Sequence, residues 1–179
     1  MKFVFSLIFI TFIFPTVHAQ RYIVKDIRSF GAKGNGRTND QQAFEKAAAF
    51  FNHRGGNGRL VISKGIYLVG KQDFTGGQKG KPAYYGHDVL HFSHVKNMQV
   101  AEKNGAKLVY TDSLHFGAFN PQTGLAYPNQ KYFVNYAYAA LIGNCILIDS
   151  SEDLAIKNLE LDGNNKAAIP GGVYGDKGR

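Results

Sequence analysis

Several stretches of this chain carry residue types at spacings that could do chemistry. Gly31-Ala32-Lys33-Gly34-Asn35-Gly36-Arg37-Thr38 differs from the phosphate-cradling pattern G-x-x-x-x-G-K-[ST] only in Arg37, which stands where lysine belongs. Asp149, closing the apolar run Ile146-Leu147-Ile148, would then be the magnesium-binding acid. Context argues against nucleotide: no series of βαβ units surrounds the loop. His87, His91 and His94 form a candidate metal set, but on a strand His91 points opposite to Phe92, hence outward, and His94 falls in a turn. Zinc would require them to converge with a further ligand, so surface histidines are expected and no metal is assigned. Cys145 is the single cysteine, within Cys145-Ile146-Leu147-Ile148, and reads as a small buried hydrophobe rather than a nucleophile. Asp149 and Asp162 are carboxylates, each expected in a turn or ladder role. Phe116, Phe119, Tyr127, Tyr132, Phe133, Tyr136 and Tyr138 crowd a stretch of about residues 112–140. Tyrosine offers an apolar face and a hydroxyl, which suits a sugar ring, so Tyr127, Tyr132 and Tyr136 are the candidate substrate contacts.

The elements that would position these groups begin after a leader. Met1-Lys2 followed by the apolar run Phe3 to Phe14, then Pro15 and Val17-His18-Ala19, has the form of a signal peptide cleaved after Ala19. The run is too short for a membrane span, which needs about 20 residues. A secreted or periplasmic protein is expected, free of the membrane after cleavage. The chain has 179 residues, with 21 Lys and Arg against 13 Asp and Glu. A basic exported protein suits an anionic polymer, and export makes a polysaccharide a better partner than nucleic acid. With one cysteine, stability must come from burial and backbone pairing.

Tyr22-Ile23-Val24 with Ile27 reads as a first strand, and Gly31, Gly34 and Gly36 form a turn. Thr38 and Gln41 have the spacing of a capping box. Ala43, Phe44, Ala47, Ala48 and Phe51 recur as one buried helical stripe, giving a helix over about residues 39–53, stopped by Gly55-Gly56. Short β-branched runs follow: Leu60 to Ile62 and Ile66 to Val69, joined at Lys64-Gly65, then Val89 to Phe92, Met98 to Val100, Lys107 to Tyr110, Cys145 to Ile148 and Leu154 to Leu161. Phe92 to Val100 can be laid on Ile148 to Ile156, matching Phe92/Ile148, Met98/Leu154 and Val100/Ile156, with turn residues at Asn97/Asp153. Such a repeat points to an all-β solenoid whose rungs bury one another's inward side chains.

The stretch from Asp26 to Asp40, with Phe30, Gly31, Gly34, Gly36, Thr38 and Asp40, followed by Gly58 to Ile62 and Gly65-Ile66-Tyr67-Leu68, resembles the N-terminal signature of the pectate-lyase superfamily. Asn158 to Asn164 is similar to a rung ending in that family. The resemblance implies a right-handed single-stranded parallel β-helix with an N-terminal capping α-helix. Its members include polygalacturonase-like hydrolases, polysaccharide lyases and tail-spike depolymerases. Acting on acidic polysaccharide by hydrolysis or β-elimination is therefore one expectation, and a non-catalytic carbohydrate-binding or adhesive β-helix is the other. No residue matches the family's catalytic motifs, so catalytic residues stay unknown and no cofactor is identifiable; calcium is implied only if the full protein is a lyase. The chain ends in mid-pattern, so residues 20–179 are expected to be the cap and first rungs of a longer β-helix, packed on further C-terminal rungs.

Overall fold

The computed structural model describes residues 21–129, 131 and 135–173. The expected leader over residues 1–19 lies outside them. The chain opens with β1 (Ile23–Asp26), a short 3-10 turn (Ile27–Phe30), β2 (Asn35–Asn39) and helix α1 (Gln41–His53). It continues through β3 (Gly56–Val69), β4 (Gln72–Phe74), β5 (Tyr84–Gly86), β6 (Leu90–Ser93), β7 (Lys96–Tyr110), β8 (His115–Ala118) and β9 (Ala139–Ala140). The last strands are β10 (Ile146–Asp149), β11 (Glu152–Lys157), β12 (Glu160–Asp162) and β13 (Ile169–Gly171).

The described fold is mostly β, built on parallel strands with one α-helix. The principal sheet has the order β1-β3-β7-β11, with β2 beside β3 and β12 beside β7, every pairing parallel. β6 and β10 pair in parallel as a second sheet. The repeat legible in the sequence is the register of this stack. Phe92 lies against Ile148, Met98 against Leu154 and Val100 against Ile156. The turn residues Asn57, Asn97 and Asp153 share a left-handed φ of 51–52°, and the Asn97 amide donates to Asn57 Oδ1 at 2.8 Å. Inward columns such as Leu60/Val100/Ile156 and Tyr67/Leu108/Leu161 follow from in-register pairing, because paired residues point to the same face. Leu60, Val100, Tyr67 and Leu108 are buried, whereas Ile156 and Leu161 are 43% and 52% exposed.

α1 forms where the apolar stripe predicts it. Ala43, Phe44, Ala47, Ala48 and Phe51 are buried against β6 and β3, and Phe44 meets the Tyr67 ring edge-on at 5.7 Å. Its start differs from the expected capping box. Thr38 lies in β2, and Asp40 is the N-cap. The Gln41 N–H is satisfied by Asn39 Oδ1. Asp40 instead reaches back to accept the N–H groups of Lys33 at 2.7 Å and Gly34 at 2.9 Å. The glycine loop thus closes on an internal carboxylate, which occupies the donors a phosphate would need.

Two further differences concern strands. Leu60 to Ile62 and Ile66 to Val69 are one continuous strand, β3, bent where its register against β7 shifts between Ser63 and Gly65. Lys64-Gly65 marks a bend because Gly34 crosses there: a Cβ on Gly65 would lie 2.6 Å from the Gly34 carbonyl oxygen. Arg28 ties the crossing together, donating to Ser63 Oγ and to the carbonyls of Lys33 and Lys64. The second difference is a hairpin, β4 with β5, that the periodicity did not reveal. It pairs with the aromatic stretch over 112–140, so that stretch is not an independent loop: β13, β8, β9, β5 and β4 form one mixed sheet. Among the described residues, no helix is long and apolar enough to cross a membrane.

Candidate functional site

The β4–β5 hairpin and β8 meet at a cleft. Gln72 anchors it. Its Nε2 donates to the carbonyls of His115 (2.7 Å) and Leu141 (2.8 Å), and its Oε1 accepts the His115 N–H at 2.7 Å. One side chain therefore fixes three chain segments, which holds the walls at a defined spacing. Tyr84 then stacks on the His115 ring at 4.0 Å and 7°. Phe119 meets both rings edge-on, and Phe74 lies 5.0 Å from Tyr84. The Tyr84 hydroxyl donates to the Gly124 carbonyl at 3.0 Å.

The resulting cleft measures about 380 Å³, with Asn39, Lys71, Phe74, Tyr84, Thr111, Ser113 and His115 in its lining. Asn39 and Lys71 also line an adjoining hollow of about 280 Å³, and Phe74 lines another of about 460 Å³ that reaches Pro121. Phe74 is half exposed and thus presents a ring face where two hollows meet. Burial lowers the pKa of His115, so its imidazole is neutral near pH 7, and burial raises that of the Tyr84 phenol. Lys71 Nζ lies 3.7 Å from Asp73, which also holds His87 Nε2 at 2.6 Å. The His87 hydrogen bond, with the Lys71 charge nearby, keeps the Asp73 carboxyl below its usual range. Among the described lining residues the 380 Å³ cleft contains no carboxylate, and Glu45 lines only the adjoining hollow. An aromatic face, a lysine and an uncharged imidazole can stack a sugar ring and meet an anionic substituent. Proton transfer between two carboxylates is not available from this lining.

Of the candidate tyrosines, Tyr127 packs on Tyr138 at 5.4 Å, while Tyr136 is exposed in the short 3-10 turn Tyr136–Tyr138. Tyr132 lies outside the described residues. Neither Tyr127 nor Tyr136 is among the described residues lining the cleft, whose described aromatic side chains are Phe74, Tyr84 and His115. The signal that could have found them is Tyr84-Tyr85 after Pro82-Ala83, opposite a glycine-rich turn at Gly76-Gly77.

The remaining candidates serve neighbouring turns of chain. His91 Nε2 contacts Asp149 Oδ2 at 2.5 Å, and the Ser93 hydroxyl donates to Asp149 Oδ1 at 2.6 Å while lying 2.7 Å from His94 Nδ1. The hydrogen bonds from His91 and then Ser93 lower the Asp149 pKa. His87 pairs with Asp73 instead, and among the described residues no group of three ligands could hold a metal ion. Asp162 accepts the Asn164 N–H and pairs with Lys107 at 3.0 Å. Cys145 is partly buried, and burial pushes its thiol pKa up to about 11, which disfavours the reactive thiolate.

The signature residues cluster at the crossing of the glycine loop and β3. Phe30 packs on Phe50 at 5.6 Å, and Gly31 ends the first 3-10 turn in the left-handed region. Gly34 abuts the Tyr67 ring, Gly36 turns with φ of 66°, and Thr38 Oγ1 accepts the Asn35 amide. The buried Tyr67 hydroxyl donates to the Ser63 carbonyl at 2.7 Å.

Comparison with known proteins shows a partial similarity. An exopolygalacturonase of Zea mays is 44% identical over 57 residues, which is 31% of this chain and 13% of the relative. The chain therefore spans only a small part of the length of that enzyme. No family model matches the chain, and no solved structure matches it.

Proposed function

We propose that this chain is part of a secreted, polygalacturonase-like protein that degrades acidic polysaccharide by glycoside hydrolysis. The observation that carries this reading is the 57-residue similarity to an exopolygalacturonase. The in-register parallel stacking fits it. In this reading the parallel strands are turns of a right-handed single-stranded β-helix, and α1 caps one end. Residues 1–19 are the signal peptide of an exported precursor. A uronate-containing chain lies along the cleft, with a sugar ring on Phe74 and a carboxylate facing Lys71. The chain's excess of basic residues favours such an anionic polymer. A glycosidase needs two carboxylates ~5–9.5 Å apart across the scissile bond. The described cleft lining holds none, and in this reading the pair comes from further rungs of the full-length protein.

Hydrolysis takes precedence over β-elimination because the relative is an exopolygalacturonase. A second reading, a non-catalytic carbohydrate-binding or adhesive β-helix, is favoured by one observation: the described cleft lining offers binding groups but no acid. Incubating the full-length protein with polygalacturonate separates these readings. New reducing ends without ultraviolet-absorbing product support hydrolysis. An unsaturated, absorbing product would replace it with elimination. Retention of polymer without cleavage would establish the binding protein.

A further inference from the structure

We propose that Asn104 is a site of self-modification, at which the chain's own backbone converts asparagine to aspartate and isoaspartate with Glu102 as the base. The chain has Asn-Gly steps at 35–36, 57–58 and 104–105. At such a step the missing Cβ lets the following nitrogen approach the carboxamide carbon. At the first step the Asn35 carboxamide is fixed: its Oδ1 accepts the N–H groups of Arg37 and Thr38, and its Nδ2 donates to Thr38 Oγ1. At the second, Asn57 accepts the Asn97 amide, and Gly58 is laced into the parallel ladder between Ile23 and Met98.

The third step is built differently. Where the β3–β7 register shifts, Ser63 pairs Lys103 and Gly65 pairs Ala106. Asn104 and Gly105 therefore bulge opposite Lys64 alone. Both are exposed, both have left-handed φ values, 68° and 87°, and open space surrounds the Cβ position of Gly105. Among the described hydrogen bonds none engages the Asn104 carboxamide. Glu102 Oε1 accepts the Gly105 N–H and, at 2.8 Å, the Ala106 N–H.

The reaction balances with water alone. The Gly105 N–H proton passes to Glu102 Oε1 as the nitrogen electron pair forms a bond to Asn104 Cγ. The adduct collapses by breaking the Cγ–Nδ2 bond, and the departing nitrogen takes the proton back from Glu102 and leaves as ammonia. Water then opens the cyclic imide at either carbonyl. Each product gains one negative charge beside Lys103. The isoaspartate also gains one backbone carbon, in a bulge that already interrupts the ladder.

The test is incubation of the full chain at mildly alkaline pH and physiological temperature for days, followed by mass-spectrometric peptide mapping that separates aspartate from isoaspartate. The Asn104 peptide is expected to convert at least about tenfold faster than those of Asn35 and Asn57. That factor corresponds to ~1.4 kcal/mol of barrier, about one hydrogen bond to be broken. In urea the three rates should converge. Equal rates in the folded chain, or a lead by Asn35 or Asn57, would overturn the proposal without any variant. Glu102→Gln then isolates the base, since glutamine still accepts the Gly105 N–H but does not take its proton. A severalfold slower conversion is expected, and an unchanged or faster one would remove Glu102 from the mechanism.

Discussion

Asp40→Ala is the perturbation that most directly tests how the chain begins. The Asp40 carboxylate is 3% exposed and takes two backbone N–H groups, of Lys33 and Gly34, at 2.7 and 2.9 Å. Hydrogen bonds to a charged acceptor contribute about 1.5–3 kcal/mol each, and a buried donor left unmade costs about 1–3 kcal/mol. The position of Asp40 at the positive end of α1 adds roughly 0.5 kcal/mol. Removal should therefore cost about 3–5 kcal/mol, a large share of the ~5–15 kcal/mol that stabilises a typical domain. For a chain of this size that lowers Tm by roughly 10 °C. Thr38→Ala is the paired control. Thr38 has only an exposed contact from Asn35 at 3.2 Å and does not cap the helix, so its loss should stay within ~0.5 kcal/mol. Urea titration of both variants, read by circular dichroism, gives the two values. If Thr38→Ala were as damaging as Asp40→Ala, the assignment of the cap and the closed loop would be wrong.

Three further outcomes follow from the same geometry. Gly34→Ala would place a Cβ 2.7 Å from Tyr67 Cζ at φ of 59°, whereas Gly36→Ala at φ of 66° meets Ile66 only at 3.6 Å. Both carry ~1–2 kcal/mol of left-handed strain, and overlap adds ~1–3 kcal/mol to Gly34→Ala alone, so equal urea midpoints would refute the close approach. Asp149 has a lowered folded pKa, so its ionised form stabilises the fold above about pH 4 and that contribution is lost as pH falls through the folded value; the stability gap between wild type and Asp149→Asn should narrow from pH 7 to acid, and a gap independent of pH would refute it. Phe74→Ala should weaken acidic oligosaccharide binding about threefold to tenfold, as loss of ~0.5–1.5 kcal/mol of aromatic contact implies, while Lys71→Ala should remove part of the salt dependence; unchanged titrations for both would exclude the cleft.

What the sequence made legible was whatever repeats or alternates. Phe92 and Ile148, or Val100 and Ile156, recur because strands paired in parallel register put matching residues on the same face. The stripe of α1 was legible because burial imposes its period. The β4–β5 hairpin was not, since Gln72-Asp73-Phe74 and Tyr84-Tyr85-Gly86 are too short and polar for periodicity to register. The cap was misplaced for a different reason. Thr38, Asn39 and Asp40 can all cap a helix, and the choice among them depends on Asn39 pairing with Leu68 across the β2–β3 ladder, a long-range contact. Of the cleft residues, Phe74 and Tyr84 face each other on one hairpin while His115 lies on β8 about thirty residues on, so only tertiary structure brings the three together.

The place of β3 in the principal sheet has a consequence for how the molecule comes apart. β3 is laddered along both edges, to β1 and β2 on one and to β7 on the other, and α1 packs against it. Opening β3 must therefore break two ladders and uncover the face beneath α1 together, which places it at the stable end of local opening. Its amide protons should exchange more slowly than those of the short, exposed strand β4.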